Sequence, residues 1–147
     1  MTAAQRVLYG TFDATRFNAE AFINAVCHTV QQTLPRNVEI RCEASDVDLP
    51  NDLAMPLALI LNELLTNAAK HGLNGRDACV VHAGLREGDE GLTLFVEDDG
   101  PGFDLEQVRQ HASGLRLVQG LARQLRGRFE VIAQPATRCV VHFSSAG

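Results

Sequence analysis

Residues 62–71 read Asn62-Glu63-Leu64-Leu65-Thr66-Asn67-Ala68-Ala69-Lys70-His71, and three of them could act together. On a helix turning about 100° per residue, Glu63, Asn67 and Lys70 share a narrow sector. A carboxylate and an amide oxygen are hard ligands suited to Mg²⁺, and the ammonium of Lys70 could neutralise phosphate. A solvated polar ladder would look the same. Thr66 and Asn67 are mediocre mid-helix residues, which favours a role over a plain surface. A second group is Asp98-Asp99-Gly100-Pro101-Gly102. Gly100 and Gly102 permit tight turns and close approach of a ligand. Asp98 ends an alternating run (Leu92, Leu94, Val96), so its carboxylate follows the buried face and needs a donor. The exocyclic amine of an adenine is one such donor, while a surface turn is the plainer alternative. The third group is Ser113-Gly114-Leu115-Arg116-Leu117, where amides at a helix start could meet phosphate oxygens or simply form a cap.

Positioning these groups requires a defined set of elements. Phe22, Ile23, Val26, Val30 and Leu34 predict a helix over 16–34, which Pro35 ends. Val38, Ile40 and Cys42 alternate with charged residues and predict a half-buried strand. Leu57, Ile60, Leu61, Leu64, Leu65 and Ala68 form the stripe of a long helix over 52–71, punctuated by Gly72 and Gly75. Strands at 78–86 and 92–98 form a hairpin through residues 87–91. A helix over 115–126, stopped by Gly127, precedes strands at 128–134 and 138–144. This order predicts an α+β sandwich: a mixed, mostly antiparallel sheet with about three helices on one face.

The bulk properties narrow the function. A chain of 147 residues is one domain by default, and 46% hydrophobic with 21% charged residues is a globular balance. Thirteen basic against eighteen acidic residues leave a net charge of −5, a poor footprint for nucleic acid. Cys27, Cys42, Cys79 and Cys139 form no Cys-x-x-Cys pair and sit among apolar neighbours, so they read as reduced packing residues in a cytoplasmic protein. The longest apolar stretch, 54–61, is far below the ~20 residues of a membrane span.

In order and spacing, the three groups resemble the N box and the two glycine boxes of the GHKL ATPase superfamily, which holds gyrase, Hsp90, the MutL proteins and histidine kinases. The resemblance covers about residues 8–144. Asn-Glu-Leu-x-Thr-Asn-Ala-x-Lys-His at 62–71 is similar to the second HisKA-type subclass of bacterial sensor histidine kinases, as are Leu8-Tyr9 and the run from Ser113 to Gly127. The related HWE subclass needs a Trp, and the chain has none. The resemblance implies the GHKL α/β sandwich over 11–147, with 1–10 as the tail of a dimerisation and phosphoacceptor helix. It implies ATP and Mg²⁺ as cofactors. Asn67 would coordinate Mg²⁺, and Glu63 would orient the metal and its water or act as base. Lys70 would contact phosphate and His71 would flank the purine or ribose. Asp98 would accept from the adenine amine in a pocket shaped by Gly100 and Gly102. Gly114 and Leu115 would offer amides to the triphosphate. Thr137 stands in the family's Gly-Thr turn, with Ala136 in place of the glycine. Arg116 replaces a second glycine, and the 104–113 lid is short and holds no internal glycine.

None of His28, His71, His82, His111 and His142 lies in a phosphoacceptor pattern. The implied partners are therefore a separate histidine-bearing dimerisation domain and, through it, a response regulator, with neither nucleic acid nor membrane contacted. Two rivals remain: a free-standing GHKL serine kinase of the anti-sigma-factor type, and a degenerate docking module that no longer binds ATP.

Overall fold

Asn18 ends one strand and starts a helix. Its Oδ1 accepts the Ala21 amide at 2.9 Å, an N-cap that fixes the helix start one residue later. In the computed structural model, which describes residues 15–73, 75–100, 112–132 and 137–144, helix α1 accordingly runs Ala19–Thr33. The residues before it, Arg16–Asn18, form β1 and pair antiparallel with β3, Asp48–Pro50. The predicted helix over 16–34 is thus shortened at its start, because Asn18 caps and residues 16–18 take backbone partners instead. Residues 1–10, read as a helix tail, lie outside the described residues, as do Gly102 and most of the 104–113 lid.

Five strands make the main sheet: β2 (Val38–Ala44), β4 (Cys79–Gly88), β5 (Gly91–Asp98), β6 (Arg128–Ile132) and β7 (Arg138–Phe143). Their order is β2-β4-β5-β7-β6, parallel only between β2 and β4. A parallel neighbour needs a long crossover, and helix α2, Ala54–Leu73, supplies it after a short 3₁₀ turn at Asn51–Leu53. With α3, Ala112–Gln124, the three helices of the described residues form one layer: α2 packs against α1, α3, β4 and β5. The fold is the expected α+β sandwich. No helix among the described residues is long and apolar enough to cross a membrane.

The predicted stripe of α2 is its buried face, with Leu57, Ile60, Leu61, Leu64 and Leu65 each at most 1% exposed. Burying a side chain of this size stabilises by about 1.5–3 kcal/mol. Opposite them stand Val81, Ala83 and Leu85 of β4, Leu94 and Val96 of β5, and Val141 of β7.

The other face of the sheet carries no helix among the described residues, yet Phe95 at its centre is fully buried. Guanidinium groups of Arg86 and Arg138 lie 4.6 and 4.5 Å from its ring centroid, and His82 meets it edge-on. Glu43 and Glu97 tether these cations, at 2.7 Å from Arg86 and 3.2 Å from Arg138. At the end of α3 the left-handed position falls on Arg126, with φ 58°. Gly127, expected to stop the helix, is required for another reason: a Cβ there would overlap the His142 carbonyl oxygen.

Candidate functional site

Strand β5 ends on Asp98, which is 3% exposed and points to the helix face. A buried carboxylate needs donors. Oδ1 accepts the Gly100 amide at 2.8 Å, and Oδ2 lies 2.9 Å from Nδ1 of His71. With its proton on Nδ1, the imidazole donates to that oxygen. Both side chains are 1% exposed. The structure thus places His71 against Asp98 in the interior. A sequence signal for this existed: position 71 continues the apolar series 57, 60, 61, 64, 68 around the helix.

The end of α2 and the loop after β5 touch because two glycines let them. A Cβ on Gly72 would stand 2.8 Å from Sγ of Cys79, and one on Gly100 would stand 3.2 Å from Cα of Gly72. Gly72 lies inside the helix and does not end it. Arg76, which sequence reasoning missed, ties the two segments. Its Nη1 donates to Oδ1 of Asp99 at 2.9 Å and to the Gly72 carbonyl at 3.3 Å. The Val80 amide also donates to Oδ1 of Asp99, at 3.0 Å. The Arg76 bond, helped by the Val80 amide, holds the Asp99 carboxyl below its ordinary value. Arg76 sits in an aperiodic loop, so no pattern announced it.

Between α2, β5, α3 and β7 lies a pocket. Its walls are apolar: Leu64 and Ala68 of α2, Val96 of β5, Leu115 of α3 and Cys139 of β7. Burial, helped by the nearby Asp98 charge, pushes the Cys139 thiol up to about 12, so it stays a neutral wall. Three polar groups join the walls: Asp98, Asn67 and Thr137. Thr137 is 4% exposed, and its hydroxyl has no hydrogen-bond partner among the described residues. Its carbonyl accepts the Asp98 amide at 3.3 Å, which seats it beside the carboxylate.

On the next face of α2, the Asn67 amide approaches Oε1 of Glu63 at 3.5 Å, and both residues are half-buried. Lys70 is exposed one turn on. No group of three or more His, Cys, Asp or Glu residues could hold a metal among the described residues. Glu63 and Asn67 supply two oxygen donors, which fits an ion such as Mg²⁺ that takes one or two protein ligands beside water and phosphate oxygens. Gly114 and Leu115 lie within the first turn of α3, since the helix begins at Ala112 rather than at 115. The Gly114 amide is among those that a helix start leaves without internal partners, while the Leu115 amide closes the first turn. The structure therefore brings Asn67, Asp98, Leu115 and Thr137 around one pocket, with His71 and Gly100 behind Asp98. Gly102 lies outside the described residues.

The site is thus an apolar pocket with a buried acceptor at its end, beside the first turn of α3. The family model described as histidine kinase-, DNA gyrase B- and HSP90-like ATPase matches residues 52–146, and the chain belongs to that family. It is of the kind found in sensor histidine kinases. Blue-light-activated histidine kinase 2 of Erythrobacter litoralis is 33% identical over 96 residues, covering 60% of this chain and 28% of that protein. The chain thus spans about a quarter of that relative's length. Among solved structures, the histidine kinase domain of the Erythrobacter litoralis blue-light-activated kinase superposes with a TM-score of 0.78 at 22% identity, covering 88% of this chain and 62% of that one. The ATP-binding domain of PrrB from Mycobacterium tuberculosis gives 0.71 at 19% identity, covering 88% and 96%.

Proposed function

We propose that this chain binds Mg²⁺-ATP and presents the γ-phosphate to a histidine on a separate dimerisation domain, as the catalytic domain of a two-component sensor kinase of the second HisKA-type subclass. The observation that carries this reading is the pocket in which the Asp98 carboxylate joins apolar walls beside the Thr137 hydroxyl, which has no partner among the described residues. That combination suits a flat base with an exocyclic amine, which the carboxylate would accept once the pocket, about 10 Å³ when closed, opens to admit the ring. Asn67 and Glu63 would hold Mg²⁺, whose charge offsets that of the phosphates. Lys70 and the first amides of α3, Gly114 among them, would neutralise and orient phosphate oxygens. Gly100 and Gly102 would shape the loop under the base. Transfer would rest on placing the acceptor histidine in line, without a covalent intermediate on this chain. The product phosphohistidine would serve a response regulator. The free cysteines suit a reducing, cytoplasmic setting.

Calorimetric titration with ATP, with and without Mg²⁺, and with GTP for comparison, tests the reading. Binding that prefers ATP and tightens with Mg²⁺ is expected. No binding of either nucleotide would leave the degenerate docking module, and ATP-dependent phosphorylation of a partner's serine would favour the serine-kinase rival.

A further inference from the structure

We infer that His71 is a positioning residue for base selectivity: it holds the Asp98 carboxylate in the orientation that accepts an exocyclic amine, and does not itself flank the nucleotide. The inference rests on the nucleotide reading above and concerns how that pocket chooses its base.

Two fixed donors define the carboxylate. The Gly100 amide takes Oδ1 at 2.8 Å, and Nδ1 of His71 takes Oδ2 at 2.9 Å. Each oxygen has two acceptor sites. One donor on each fixes rotation of the carboxylate plane and leaves a second site on each for a ligand. The Gly100 amide is only two residues from Asp98 and moves with the same loop. His71 comes from a different element, the last turn of α2, and so references the carboxylate to the helix layer. Close packing sets the ring in place. Gly72, the next residue, has no room even for a Cβ between Cys79 and Asp98. A side chain 1% exposed and engaged with Asp98 is poorly placed to lie along a sugar or a base face. Asn67 and Leu115 line the pocket, whereas His71 does not.

The test compares His71→Asn, His71→Gln and His71→Leu in the full chain. Asn carries an amide N–H near the position of Nδ1, Gln carries it farther out, and Leu has none. The readout is the ratio of dissociation constants for ATP and for the triphosphate of purine riboside, which lacks the 6-amino group. In the unaltered chain ATP is expected to bind about ten- to a hundred-fold more tightly, the worth of a hydrogen bond to a charged group. His71→Leu and His71→Gln are expected to shrink the ratio to within about three-fold, and His71→Asn to keep most of it. Nitrogen-15 NMR of the imidazole in the nucleotide-free chain is expected to find a proton on Nδ1.

A full ratio in His71→Leu would overturn the inference. So would equal weakening of both nucleotides, which is what a ring flanking the nucleotide would give. If the leucine variant does not fold, equal ratios in the Asn and Gln variants would overturn it in the same way, as would a bare Nδ1. Failure of the unaltered chain to bind ATP is a different result and would remove the nucleotide reading itself.

Discussion

At the scale of single residues, the pocket holds a group that stability would not choose. A buried hydroxyl without a partner costs about 1–3 kcal/mol. Thr137→Val, which keeps the shape, is therefore expected to raise the stability of the nucleotide-free chain by up to about 1 kcal/mol in urea titrations, and to weaken ATP several-fold. A side chain that gains stability and loses affinity on the same change is one that serves a ligand. Asn67 makes the complementary case. It lines the pocket and its amide reaches Glu63 only at 3.5 Å, a marginal contact. Asn67→Ala is expected to leave Mg²⁺-free ATP binding nearly unchanged and to abolish the tightening that Mg²⁺ gives, measured by calorimetry at matched ionic strength. A retained Mg²⁺ effect would return Glu63 and Asn67 to the status of a solvated face.

At the scale of elements, α2 serves the core on one face and the site on the next, and its end must pass close to β4 and β5. Gly72 makes that passage possible. Gly72→Ala gains helix propensity of about 1 kcal/mol but overpacks against Cys79, a cost of about 1–3 kcal/mol. With Sγ at 2.8 Å and the Asp98 Cβ at 3.3 Å from the added atom, net destabilisation of up to about 2 kcal/mol is expected. Adding Cys79→Ala should recover part of it, a coupling that a double-mutant cycle in urea would read. The helix itself was legible, because its stripe at 57, 60, 61, 64, 65 and 68 has one period and one face. So were the β4–β5 hairpin and the resting place of Asp98. The β1–β3 pair was not, since three-residue strands carry no period. The partner of His71 was half-legible: its position continued the stripe, but that a carboxylate would meet it depends on β5 arriving behind the helix. Arg76 and the pocket walls at Val96 and Cys139 looked like loop and core, because their shared environment exists only after folding.

For the whole molecule, acid is the expected weakness of the sheet face around Phe95 and of the Arg76 tie. Glu43 sits below its ordinary value of 4.5 through its bond to Arg86, and Asp99 below 3.8 through its bond to Arg76. Depressed carboxylates contribute stability above their unfolded values and lose it as pH falls through them toward the folded ones. Urea midpoints should therefore be flat near neutrality and decline below about pH 5. Arg86→Met, which keeps cover over Phe95, should flatten the Glu43 share of that decline. On the proposed reading, function at this scale is divided. The chain is expected to bind ATP yet retain no acid-labile, base-stable label from γ-labelled ATP, and to label a histidine-bearing hairpin added in trans. One-to-one labelling of a histidine in this chain would contradict the division. The place of β5 in the sheet has a last consequence, in terms of amide exchange. It has β4 and β7 on either side, so the strand that ends on Asp98 is released only when the sheet opens as a whole. A nucleotide held by that carboxylate would slow exchange along β5 by as much as it stabilises the entire fold, RT ln(1 + [L]/Kd), and by no local increment beyond it.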